Sequence, residues 1–75
     1  DVSLKIFPNP TSNQLRLETD LKISTFKVLS VTGQVLKAGR LSDQIISVNS
    51  LNAGVYFLEI TTQEGKKGIE RFVVE

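Results

Sequence analysis

The sequence predicts an all-β fold, a small antiparallel sandwich of about seven short strands. Three observations predict it. Runs of alternating apolar and polar residues recur along the 75-residue chain, each closed by turn residues. No segment sustains a 3.6-residue apolar period, so no helix is expected beyond a single turn near Ser50 to Ala53. The longest apolar run, Val55-Tyr56-Phe57-Leu58-Glu59-Ile60, follows directly on Gly54 and carries the only tyrosine. A tyrosine just inside a strand, after a tight bend, can bury its ring and return its hydroxyl to the backbone of the bend. That device is the tyrosine corner of immunoglobulin-like sandwiches.

The elements follow in order. Val2, Leu4 and Ile6 fall on one face of residues 2–7, with Ser3 and Lys5 on the other, which gives a half-buried strand. Pro8-Asn9-Pro10 ends it, because each proline lacks an N–H and holds its predecessor extended. Thr11-Ser12-Asn13 completes a turn whose side chains bond to local backbone. Residues 14–18 alternate again, with Leu15 and Leu17 inward. Residues 19–22 read as a loop. Residues 23–31 form the third strand, with Phe26 and Val28 inward and Lys27 outward. Its phase slips near Ser30, which predicts a bulge or a second covered face. Thr32-Gly33 turns the chain into a returning strand at residues 34–37, which Gly39-Arg40 ends.

A fifth strand is expected at residues 43–48, before the bend into the tyrosine strand. Large apolar residues on both sides of that strand's alternation predict a central position covered on both faces. It runs to Thr62. Glu64-Gly65 suits a tight hairpin, and the last strand covers residues 67–74. Ile69, Arg71 and Val73 alternate there against Glu70, Phe72 and Val74, so its inward face is open from sequence.

Composition bounds the chemistry. A chain this short is one domain, residues 1–75, and buries only about 60% of its unfolded surface. Cysteine and histidine are absent, which removes disulfides, thiol chemistry, and the commonest general base and metal ligand. Nine basic and eight acidic residues leave a net charge of +1, scattered apart from Lys66-Lys67. That pattern argues against nucleic acid as a partner. No apolar run approaches the ~20 residues of a transmembrane segment. The carboxylates form no D-x-D or E-x-x-E cluster, and the glycines form no phosphate-cradling loop. The reading is therefore of a domain with no catalytic residues, no metal ligands and no cofactor. Because the chain starts at Asp1 and contains no methionine, it is expected to be a piece of a longer protein.

Four segments in this order and spacing carry more. They are Ile6-Phe7-Pro8-Asn9-Pro10-Thr11, Val31-Thr32-Gly33-Gln34-Val35-Leu36, residues 51–60, and the stretch from Gly65-Lys66-Lys67 to Phe72-Val73-Val74. Together they closely resemble the type A C-terminal sorting domain of the type IX secretion system of Bacteroidota, over nearly the whole chain. The resemblance departs from a common pattern at Leu29 and Ser30, where tyrosine and aspartate often stand before the turn. It implies a non-catalytic secretion signal at the end of exported cargo, read by the outer-membrane translocon. It also implies removal by a sortase-like surface peptidase and attachment of the cargo to an anionic lipopolysaccharide. The expected location is the periplasm in transit, then the outer-membrane surface or the medium. Pro8, Asn9, Pro10, Gly33, Leu51, Gly54, Val55 and Tyr56 are then signature residues that preserve the fold. Lys66, Lys67, Arg71, Phe72, Val73 and Val74 on the last strand are candidate translocon contacts, through a free sheet edge. The alternative is an immunoglobulin-like binding or spacer module, for carbohydrate or adhesion. Exposed aromatics clustered on one face would mark it.

Overall fold

In the computed structural model, residues 4–8, 10–41 and 43–75 are described. Seven strands form two antiparallel sheets: β1 Lys5–Phe7, β2 Gln14–Glu18, β3 Ile23–Leu29, β4 Val35–Arg40, β5 Ile45–Ser47, β6 Gly54–Thr62 and β7 Lys67–Val74. The three-stranded sheet has the order β1-β2-β5, and the four-stranded sheet β4-β3-β6-β7. The expected all-β sandwich is the observed architecture, with no helix among the described residues. The expected parts of the first strand at Val2 and Ser3 lie outside the described residues.

The core lies between the two sheets. Leu15 and Leu17 of β2 and Ile46 of β5 face Phe26 and Val28 of β3, Leu58 and Ile60 of β6, and Phe72 and Val74 of β7. Each is an inward position of a period-two strand. β7 thus settles its phase: Phe72 and Val74 are inside, and Ile69 is 56% exposed.

Two local expectations are corrected. β3 stops at Leu29, because residues 30–34 form a turn in which Ser30 N donates to Gln34 O (2.9 Å) and Gly33 N to Ser30 O (2.9 Å). The slip near Ser30 reflects both this turn and a bulge beside it, one of the two expected causes. The β3–β4 ladder passes from Val28↔Lys37 to Leu29↔Val35, leaving Leu36 as the extra residue of a bulge, and the β3–β6 ladder shifts between Ile23 and Thr25. β4 runs on to Arg40, past the expected end, because Gly39 lies under the Phe26 ring; a Cβ there would stand 3.4 Å from Phe26 Cε1.

β6 is central, as predicted, but only one of its faces is fully covered. Tyr56, Leu58, Ile60 and Thr62 are buried, whereas Phe57, Glu59 and Thr61 on the other face are half-buried. Neighbouring side chains of β3 and β7 shield that face without a further layer. The tight hairpin expected at Glu64-Gly65 is present, with a three-residue loop over residues 63–65. Thr62 N donates to Lys66 O (2.8 Å) and Gly65 N to Thr62 O (3.0 Å).

Candidate recognition surface

The β3–β4 and β6–β7 turns are the same device. Each is an i→i+3 turn followed by a glycine at positive φ, +90° at Gly33 and +88° at Gly65. Each begins with a hydroxyl that accepts from the backbone across the turn. Ser30 Oγ accepts from Gln34 N (3.2 Å), and Thr62 Oγ1 from Lys66 N (3.0 Å). Ser30 therefore does the turn-closing work for which a side-chain oxygen is needed, and the hairpin tolerates serine there.

The tyrosine corner is present. Tyr56 Oη donates to Asn52 O at 2.6 Å, four residues back, and the residue is buried, at 8% exposed. Gly54, at φ +156°, carries the chain between them. The ring of Phe72 stacks on Tyr56, with centroids 5.7 Å apart and planes 27° from parallel. Leu51 packs half-buried against the core, and Val55 points to the outer face. The bend before the corner is held by Leu51 N donating to Val48 O (3.0 Å) and Val48 N to Asn13 O (2.9 Å).

Sequence reasoning gave Thr11 only a local role. Thr11 is 3% exposed and joins the two halves of the chain. Its N–H donates to Val73 O and its carbonyl accepts from Glu75 N, both at 2.8 Å, as a parallel bridge beside Val74. Its Oγ1 donates to Gln14 O (2.7 Å). The turn before it contains a cis Phe7–Pro8 bond and exposed Pro8 and Pro10; Asn9 lies outside the described residues. A threonine after a proline turn is a cue for local bonding. Nothing local announces a bond to the far end of the chain.

The registers place these parts relative to one another. Gly54↔Val74, Thr11↔Val74 and Gln14↔Ser47 lie at one end of the sandwich, where residues 30–34 and 48–53 also turn. Thr61↔Lys67, Lys5↔Glu18 and the bond from Gln63 N to Lys22 O lie at the other. Pro10, Gly33, Leu51, Gly54 and Tyr56 therefore gather at one end, although they are spread through the sequence. Among the described residues no three acidic groups gather as metal ligands would. The depression of about 350 Å³ lined by Lys5, Glu18, Thr19, Asp20 and Leu21 is open to solvent.

A family model described as the secretion system C-terminal sorting domain matches residues 5–75, and that family is the type IX secretion sorting signal. The chain belongs to it. No curated protein matches the chain.

Within this sorting domain, the candidate contacts on β7 and at Lys66, in the turn before it, separate by burial. Phe72 is fully buried and Val74 is 4% exposed, so both are core residues. Val73 is half-buried, and Lys66, Lys67 and Arg71 are exposed. β7 is an edge of its sheet. However, the end of that edge is already engaged by Thr11, through Val73 O and Glu75 N. Lys66 lies 4.0 Å from Glu64 Oε1, an exposed pair of little energetic weight.

Proposed function

We propose that this sorting domain is a non-catalytic address label that directs preceding cargo across the outer membrane through the type IX system. A sortase-like surface peptidase then removes it, and the cargo remains at the cell surface or enters the medium. The route runs through the periplasm, and the partners are the translocon, the peptidase and the cargo. The observation that carries this reading is the family match across residues 5–75. The gathering of the signature segments at one end of a well-packed fold supports it, because a label is read as a shape. In this reading Pro8, Asn9, Pro10, Gly33, Leu51, Gly54, Val55 and Tyr56 serve mainly by maintaining that shape.

A carbohydrate-binding module would present flat aromatic faces to stack on sugars. Phe26, Tyr56 and Phe72 are buried, Phe57 is half-buried, and only Phe7 is exposed, at 41%. The described residues offer no aromatic platform, so the label is the better account.

The test is export of a reporter. Residues 1–75 are fused behind a periplasm-directed fluorescent protein in a host with a working type IX system, and compared with a translocon-deficient strain. Fluorescence on the surface or in the medium of the competent strain alone is expected. A surface form shorter by the domain's mass establishes removal. Retention of a folded fusion in the periplasm of both strains rejects the proposal.

A further inference from the structure

The two ends of the sandwich differ in charge. At the end that gathers the signature segments, residues 10–13, 30–34 and 48–53 contain no aspartate, glutamate, lysine or arginine. Most of these residues are exposed, including Ser12, Asn13, Gln34, Asn49 and Ser50. Val31, at the tip of its turn, is 66% exposed, and Ala53 is exposed beside the tyrosine corner. Among the described residues, two charged groups border these turns: Glu75, beside Thr11, and Lys37, whose Nζ donates to Ser47 O (2.8 Å). The opposite turns and strand ends carry Lys5, Glu18, Asp20, Lys22, Glu64 and Lys66, with more charge adjoining.

The course of the chain makes that difference functional. It enters β1 at Lys5, opposite Glu18, at the charged end. Cargo joined ahead of Lys5 is therefore attached at the charged end, opposite the uncharged turns. Surface charges keep a domain hydrated, and burying them unpaired is strongly unfavourable. The centres of protein interfaces are depleted of charge for that reason. A surface with exposed amides, hydroxyls and a projecting valine forms such a centre at low desolvation cost. Its backbone is also held in place by the bonds at Thr11, Ser30, Val48 and Tyr56, so little ordering is needed on docking.

From this polarity we infer that the secretion machinery reads the uncharged turns at this end. The occupant is a protein receptor with an uncharged, hydrogen-bonding surface that closes around the tips of residues 30–34 and 48–53. The charges of Lys66 and Lys67, at the cargo end, are dispensable. The inference rests on the sorting reading and says which surface performs it.

The experiment uses the same export fusion with point variants. Val31→Lys, Val31→Glu and Ser50→Lys each place a charge on an exposed tip, while Val31→Thr keeps the tip neutral. Lys66→Gln combined with Lys67→Gln removes charge at the other end. All are surface changes, so melting temperatures are expected within a few degrees of the parent. Export is expected to fall at least tenfold for the three charged-tip variants, whichever sign is added. It stays near the parent level for Val31→Thr and the double glutamine variant. Parent-level export of the charged-tip variants, with their folding intact, overturns the inference and leaves the sorting role standing. So does a tenfold loss in the double glutamine variant alone. Failure of the unmodified fusion to leave the periplasm overturns both.

Discussion

Two side chains hold connections that no strand ladder supplies. Tyr56 ties the bend at Asn52 to the core, and its ring is sandwiched into the packing by Phe72. Removing only the hydroxyl, Tyr56→Phe, is expected to destabilise the domain by about 1 kcal/mol, the net worth of one hydrogen bond. Tyr56→Ala also removes the ring and is expected to destabilise by about 3–5 kcal/mol. Urea denaturation of the two variants checks both size and order; equal losses would show that the bond to Asn52 contributes the whole effect. Thr11 is the second case. Its side-chain bond to Gln14 O is short and its surroundings are buried. Thr11→Val keeps the shape and loses that bond, with an expected loss of about 1 kcal/mol, read from the same titration. The backbone bonds to Val73 and Glu75 survive that substitution.

At the scale of elements, the two hairpins allow a comparison. An added Cβ at Gly33 or Gly65 has nothing within 4 Å, so a substitution there acts through backbone conformation alone. Gly33→Ala and Gly65→Ala are each expected to destabilise by about 1–2 kcal/mol, and the matching asparagine variants by less. Thermal melts of the four variants check the order, and an alanine variant as stable as its asparagine counterpart contradicts it. These elements also show what was legible in sequence. β2 was readable in full, because Leu15 and Leu17 alternate with polar residues between clear breaks. The end of β3 was not, because Val31 is apolar and invites extension, yet it projects from a turn into solvent. β4 was underestimated because Ala38 and Gly39 are weak strand formers. Pairing with β3 and room for the Phe26 ring carry it onward, and both are tertiary effects. The signature segments of the candidate site were legible one by one. Their convergence at a single end was not, because register relates residues that lie far apart in sequence.

For the whole molecule, the links between sheets matter more than any strand. The four-stranded sheet and the β1-β2-β5 sheet meet through the core and through Thr11, whose partners lie on the last strand. Deleting Val73, Val74 and Glu75 removes both backbone partners of Thr11 and a core valine paired with Gly54. Burying a valine is worth about 1.5–3 kcal/mol by itself. A domain of this size holds only some 5–15 kcal/mol in total. The truncation is therefore expected to lower the urea midpoint sharply and broaden the transition, measured by circular dichroism. A sharp, unshifted transition would show that Thr11 and Val74 contribute little. The same tie has a consequence during synthesis. Thr11 leaves the ribosome long before Val74, and Phe72 arrives only after every other core side chain except Val74. No shorter nascent chain contains the finished fold. A product that stops within β7, or a chain clipped there, lacks that fold. The sandwich is thus finished only once β7 exists, and one threonine with two backbone bonds makes its earliest strands wait for its latest.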